Sequence, residues 1–144
     1  MSQIATKTLS NGVQIPQMGL GTYKEDKEEV LINAIKAAIK TGVRHFDCAY
    51  IYFNEWHIGK GKKNLLILSE SDFSVYGKKI AIRDSIDESN GTLKREDFFI
   101  TGKLWNTCHS KESVLPSIEA CLKRFGFDYL DLYLIHWPMG FQVI

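Results

Sequence analysis

The sequence predicts an α/β fold built on a parallel sheet, because stretches with strand character alternate with amphipathic helical stretches along the chain. A β-hairpin precedes this alternation, since Asn11 and Gly12 form a two-residue turn signal between β-compatible flanks. The strands that follow are predicted at residues 18–23, 44–50, 97–103 and 129–136. A helical segment joins each strand to the next, which is the connection that parallel strands require.

The first connecting helix is predicted from about residue 27 to 41. Asp26 and Glu29 form a capping arrangement at its start, and Gly42 suits its end. One face is apolar and is expected to be buried; it consists of Val30, Leu31, Ala34, Ile35, Ala38 and Ile39.

The last connecting helix is predicted to start at Ser110 as its cap, to run to about Phe125 and to end at Gly126. Its predicted buried face consists of Val114, Leu115, Ile118, Cys121 and Leu122.

The middle connecting helix is interrupted by residues 61–80, which do not continue its pattern. We interpret residues 1–144 as one domain that carries an insertion at this point. The insertion is either an in-frame retained intron or a genuine extra loop, and the genomic sequence would separate the two.

Composition places the chain among globular proteins and argues against several classes of partner. Its 144 residues are 44% hydrophobic, and a net charge of +1 gives no basis for binding nucleic acid or an acidic membrane surface. No apolar stretch approaches the roughly 20 residues that cross a bilayer, and the N-terminus lacks the apolar run of a secretory signal. Three cysteines without CxxC spacing are typical of reduced thiols, so the cytoplasm is the expected location.

Three short segments carry a family resemblance. They are GVRHFDCAYIY at 42–52, TGKLW at 101–105 and LIHWP at 134–138. Together they resemble the aldo-keto reductase family. The resemblance implies a partial (β/α)8 barrel, namely an N-terminal β-hairpin and the first four β/α units, with an active site at the carboxyl ends of the strands.

The same resemblance implies a catalytic tetrad of Asp47, Tyr52, Lys103 and His136. Reduction of an aldehyde or ketone needs a proton donor near the carbonyl oxygen, and a tyrosine hydroxyl has an ordinary pKa near 10. A neighbouring ammonium group favours the phenolate, and a carboxylate holds that ammonium group in place. Tyr52 is therefore expected to donate the proton, with Lys103 as the cation beside it. Asp47 is expected to hold Lys103, and His136 to orient the carbonyl oxygen.

The resemblance also implies NADP(H) as the cofactor, bound without a GxGxxG motif. No metal is expected, because His45, His57 and His109 have no metal-ligand spacing. The residues expected near the cofactor are Gly21, Thr22, Tyr23 and Asp47. The residues expected to line the substrate pocket are Tyr23, Trp105, His136 and Trp137. For the three aromatic residues of that pocket, core packing at strand ends is an equal alternative.

Two residues depart from the family pattern. Val43 stands where an aromatic residue is preferred, and Phe53 stands where glycine is common. Because Phe53 directly follows Tyr52, we expect it to alter the substrate pocket.

The resemblance covers about the first half of a family member, and most cofactor contacts in the family come from later segments. We therefore expect these 144 residues to be weakly active or inactive alone, and to self-associate through an open barrel edge. Two alternatives are a non-catalytic truncated isoform that pairs with a full-length relative, and a non-enzymatic binding subunit.

Overall fold

The computed structural model describes residues 4–23, 27–58 and 81–142. The predicted insertion at 61–80 and the predicted cap residue Asp26 lie outside the described residues, and the insertion remains a prediction. The first connecting helix begins at Glu28 with Lys27 at its N-cap position, so the predicted Asp26 cap was placed one residue too early.

The N-terminal hairpin is confirmed. Strands β1 (Thr6–Thr8) and β2 (Gln14–Pro16) pair antiparallel. Gly12 adopts a φ of 84°, which the turn between them requires. The turn is closed by a hydrogen bond of 2.8 Å from the backbone N–H of Leu9 to the carbonyl oxygen of Val13.

A four-stranded sheet forms the centre of the molecule, and all its strands are parallel, as the sequence predicts. The strands lie in chain order, β3 (Gly19–Gly21), β4 (His45–Asp47), β5 (Phe99–Leu104) and β6 (Leu132–Ile135). They are shorter than predicted, but their carboxyl ends meet at one edge of the sheet. Residues that follow β4, β5 and β6 are thereby brought together.

The described helices are α1 (Glu28–Lys40), α2 (Glu55–Ile58), α3 (Ala81–Asp87) and α4 (Lys111–Phe125). A single turn of 3-10 helix at Tyr50–Tyr52, called the Tyr52 turn below, connects β4 to α2. Both flanks of the predicted insertion are therefore helical. Among the described helices, none is long and apolar enough to cross a membrane.

The predicted helix ends are confirmed more fully than the predicted starts. Gly42 and Gly126 follow α1 and α4 with φ values of 100° and 66°, in the left-handed region that favours glycine. Ser110 occupies the N-cap position of α4, but its side chain makes no capping bond to the helix backbone. Its hydroxyl lies 2.8 Å from that of Ser113 instead.

The buried arc of α1 is rotated relative to the prediction. Val30 was expected to be buried but is 48% exposed. Ile32 was not expected to be buried but is only 5% exposed. The reason is that α3 packs along the Ile32 side, where Lys36 makes salt bridges with Asp84 and Glu88. The sequence period locates an apolar stripe, but the neighbouring helix decides which part of it is covered.

In α4, the predicted buried face is only partly confirmed. Leu115 is 69% exposed, so its predicted burial was wrong, whereas Cys121 is 1% exposed. Cys121 faces α2, where its thiol donates a hydrogen bond of 3.2 Å to Glu55. The sides of α4 that meet α2 and the sheet are therefore buried, and the outer side is not.

Candidate active site

The carboxyl edge of the sheet carries three of the four predicted tetrad residues. Asp47 is the last residue of β4, Lys103 is the penultimate residue of β5, and His136 directly follows β6. Tyr52 ends the turn that leaves β4. The structure thus brings together side chains that are far apart in the sequence, and their catalytic roles remain predictions.

The ammonium group of Lys103 is the centre of this arrangement. It lies 2.8 Å from each carboxylate oxygen of Asp47 and donates a hydrogen bond of 3.1 Å to the hydroxyl oxygen of Tyr52. It also donates to the carbonyl oxygen of Cys48, at 3.1 Å. The Lys103 side chain is 11% exposed and that of Asp47 is 41% exposed, so the pair is covered on one side and open on the other.

Electrostatics keep Lys103 charged. Burial by itself lowers the pKa of its ammonium group, but hydrogen bonds and charge interactions with Asp47 and Tyr52 together outweigh burial, and the pKa is raised above its ordinary value. Lys103 is therefore a fixed positive charge next to the Tyr52 hydroxyl at neutral pH.

His136 has the opposite tendency. Burial lowers the pKa of its imidazole, the charge of Lys103 lowers it further, and Asp47 opposes them. The ring is therefore neutral at pH 7, and it meets the Tyr52 ring edge-on at a centroid distance of 5.7 Å. Its Nδ1 atom is buried and has no hydrogen-bond partner among the described residues.

Aromatic rings surround Tyr52 and His136. Tyr23 lies 5.0 Å from the ring of Tyr52, and Trp105 and Trp137 lie 5.5 and 6.1 Å from the ring of His136. Tyr23 is 62% exposed and Trp137 is 52% exposed, so core packing does not describe these two residues. They form a wall that faces solvent.

The segment predicted to lie near the cofactor is tied to Asp47. Thr22 is 2% exposed, and its backbone N–H and its hydroxyl both donate to the carbonyl oxygen of Asp47 at 3.1 Å. Beside it, a Cβ atom added to Gly21 would meet no atom of the described residues within 4 Å. This open surface next to Tyr23 and Asp47 fits the approach of a flat ring, so the residues present are compatible with a nicotinamide cofactor. The cofactor contacts themselves remain predictions.

Sequence reasoning missed several residues that shape the site. Asn54 is buried and donates a hydrogen bond of 2.8 Å to the carbonyl oxygen of Thr22, so it connects the residues after Tyr52 to the β3 end. Phe141 packs on Trp105 at 6.2 Å. A polar residue two positions after the Tyr52 turn was a signal for Asn54, whereas no local pattern indicated Phe141.

The backbone conformation at Phe53 explains why glycine is common at this position in the family pattern. Its φ is 53° and its ψ is 29°, which is the left-handed conformation that glycine adopts without strain. A phenylalanine therefore holds a strained position directly after Tyr52. Its side chain is 58% exposed and contacts the ring of Tyr50.

Residues 17–141 match the family model described as "Aldo/keto reductase family". The chain belongs to this family. An aldo/keto reductase of Synechocystis is 42% identical over 93% of the chain, and D/L-glyceraldehyde reductase of Hypocrea jecorina is 41% identical over 98%. The chain spans only 34% and 36% of these two relatives.

A solved aldo-keto reductase of Bombyx mori, in complex with NADP, superposes with a TM-score of 0.77. It is 32% identical, and the match covers 99% of this chain and 41% of that structure. The fold is therefore part of a (β/α)8 barrel, as the sequence predicts. Members of the family are oxidoreductases. Within the described residues, no cluster of side chains is suited to hold a metal ion.

Proposed function

We propose that this aldo-keto reductase chain carries the proton-delivery site of an NADP(H)-dependent carbonyl reductase, which converts aldehydes or ketones to alcohols. The observation that carries the proposal is the position of Lys103, whose ammonium group bonds both the carboxylate of Asp47 and the hydroxyl of Tyr52. The relative named D/L-glyceraldehyde reductase supports this class of reaction. The Bombyx mori relative, crystallised with NADP, supports this cofactor.

Tyr52 is the proposed acid. Its hydroxyl donates a proton to the carbonyl oxygen of the substrate, and the negative charge left on the phenol is stabilised by Lys103 at 3.1 Å. Asp47 holds Lys103 in place through two contacts of 2.8 Å. The neutral imidazole of His136 orients the carbonyl oxygen. NADPH, when bound, supplies the hydride that the carbonyl carbon accepts.

The cofactor would be held at the open surface beside Gly21, with Thr22, Tyr23 and Asp47 around it. The substrate would lie against Tyr23, Trp105 and Trp137. Aromatic walls favour a carbonyl compound with apolar substituents, because such walls offer apolar area and few polar groups.

The test uses the purified 144-residue chain. NADPH binding is followed through the three tryptophans, and NADPH loss is then measured with benzaldehyde, with Tyr52→Phe as the matched control. Saturable binding together with slow, Tyr52-dependent NADPH loss supports the proposal. If binding does not saturate, or if NADPH loss does not exceed that of Tyr52→Phe, the proposal is wrong for this chain, and the residues are idle within it.

The alternative role as a non-catalytic isoform or binding subunit has one supporting observation. Ile135 in β6 is 66% exposed, and Trp137, Met139 and Phe141 directly after it are 50–52% exposed. We propose that this edge self-associates or pairs with a full-length relative. A concentration-dependent mass in light scattering supports association, whereas a monomer up to high concentration opposes it.

We propose in addition that the protein is located in the cytoplasm. Cys48, Cys108 and Cys121 are free thiols, as a reducing compartment would keep them. Fluorescence microscopy of the tagged chain checks this location.

A further inference from the structure

A second ion pair lies on the other side of Tyr52, and the reaction described above does not use it. Glu55, the first residue of α2, accepts a hydrogen bond from Nε of Arg124 in α4. Its other carboxylate oxygen accepts from the thiol of Cys121, also in α4, at 3.2 Å. We call Arg124 and Glu55 the helix pair, and Lys103 and Asp47 the mouth pair.

The carboxylate of the helix pair is closed to water. Glu55 is 1% exposed, and the side chain of Arg124 is 16% exposed. Burial raises the pKa of Glu55 above its ordinary value, and Arg124 and the Cys121 thiol offset part of that rise, so the charged carboxylate depends on Arg124. A buried carboxylate is costly unless it is paired and hydrogen-bonded, and here both of its oxygens are satisfied from one helix.

Arg124 holds the Tyr52 turn at two points. Besides bonding Glu55, its guanidinium group lies 4.8 Å from the ring centroid of Tyr50. Tyr50 begins the turn, two residues before Tyr52, and Glu55 follows Tyr52 by three residues. One side chain of α4 therefore contacts both sides of the segment that carries the proposed proton donor.

The turn needs such support because the residue that directly follows it, Phe53, is strained. Phe53 adopts a left-handed conformation, which costs a non-glycine residue about 1–2 kcal/mol. A strained residue persists only where its surroundings determine its conformation. The backbone bonds of the turn are local, from Tyr52 to Ala49 at 3.0 Å and from Phe53 to Tyr50 at 3.1 Å.

We infer that Arg124 and Glu55 are positioning residues, which fix the Tyr52 turn from the helix side while Lys103 fixes the Tyr52 hydroxyl from the sheet side. Lys103 lies on β5 and Arg124 on α4, the helix that follows β5. One β/α unit thus holds Tyr52 from two directions. The inference rests on the proposed function for its catalytic meaning, but its structural claim is tested without activity.

The test is amide hydrogen exchange of Tyr52 and Phe53, with Ile100 in β5 as the internal reference, in the 144-residue chain. Arg124→Met removes the charge and its hydrogen bond, and Arg124→Lys retains the charge. Lys123→Met is the matched control, since Lys123 is an exposed cation next to Arg124 on the same helix. Glu55→Gln serves as a second variant if Arg124→Met fails to fold, because it keeps the shape of the side chain.

We expect Arg124→Met to accelerate exchange at Tyr52 and Phe53 by at least about tenfold, as loss of a charged hydrogen bond implies. Arg124→Lys should recover part of the protection, and Lys123→Met should change nothing. Unchanged exchange at both amides in Arg124→Met overturns the inference. Equal acceleration at Ile100 also overturns it, because the pair would then support the whole domain rather than the turn.

Activity separates this inference from the proposed function. If the chain reduces benzaldehyde, Arg124→Met should lower kcat and leave the KM for NADPH unchanged, since Arg124 contacts no proposed cofactor residue. A chain without Tyr52-dependent activity but with a selectively loosened turn contradicts the proposed function and leaves the structural inference intact.

Discussion

The two ion pairs around Tyr52 have similar chemistry and different surroundings. In the mouth pair, the Asp47 side chain is 41% exposed, whereas in the helix pair Glu55 is 1% exposed. Lys103 of the mouth pair also donates a hydrogen bond to the Tyr52 hydroxyl. Glu55 of the helix pair instead accepts a hydrogen bond from the thiol of Cys121 in α4. The two cations are similarly covered, with the Lys103 side chain 11% exposed and that of Arg124 16% exposed, so the pairs differ in their carboxylates. The open carboxylate lies where the proposed substrate would bind, and the closed one lies between two helices.

The largest effect is expected from breaking the closed pair. Glu55→Ala leaves the mostly buried Arg124 without its counter-charge, which typically costs about 3–5 kcal/mol of unfolding free energy. Urea unfolding measures this loss. The double variant Glu55→Gln/Arg124→Met should lose less, because no unpaired charge remains. A loss below about 1 kcal/mol for Glu55→Ala would remove the contrast between the two pairs.

Breaking the open pair should cost less stability and more activity. Asp47→Asn should reduce the unfolding free energy by only about 1 kcal/mol, because the asparagine amide oxygen can still accept a hydrogen bond from Lys103, which also keeps its bonds to Tyr52 and Cys48. Any Tyr52-dependent NADPH loss should disappear. If Asp47→Asn were as destabilising as Glu55→Ala, the mouth pair would be a structural pair as well.

Substitution of Phe53 tests whether its left-handed backbone, which lies between the two ion pairs, destabilises the fold. Phe53→Gly removes the left-handed penalty but loses the contact with Tyr50 and makes the unfolded chain more flexible, so we expect a net gain of about 0.5 kcal/mol. Asn90→Gly is the matched control, since Asn90 has the same φ of 53° and asparagine tolerates it. Thermal unfolding of both variants decides. Destabilisation by Phe53→Gly would mean that the phenylalanine ring contributes more than its backbone costs.

The smallest effect concerns His136. Because its folded-state pKa is lowered, its neutral form stabilises the fold above the ordinary value of 6.5, and that stability is lost as pH falls below it. An NMR titration of the ring should give a midpoint below 6.5. Lys103→Met should raise this midpoint, since the Lys103 charge is one of its causes, and Lys123→Met should not. If Lys103→Met left the midpoint unchanged, the charge of the mouth pair would not influence the protonation of His136.

Much of the proposed site was predictable because strand ends are local features with a shared direction. The segments around Asp47, Lys103 and His136 each have strand character, and parallel strands place their carboxyl ends at one edge. Gly42 and Gly126 marked helix ends for an equally local reason, the left-handed backbone.

The covered sides of the helices were not predictable from the period alone. Val30 and Ile32 are both apolar, and only the packing of α3 against α1 decided that Ile32 is buried. The helix pair was likewise hidden, since Glu55 and Arg124 are 69 positions apart and neither belongs to a motif.

The sequence by itself determined the order of strands and helices, the hairpin turn, the helix ends and the residue types of the site, because these depend on local backbone preferences and short motifs. Tertiary structure alone decided which helix sides are covered, that a strained Phe53 is held after Tyr52, and that two ion pairs flank the same turn. These features depend on burial and on contacts between distant segments, and neither exists until the strands and helices pack together.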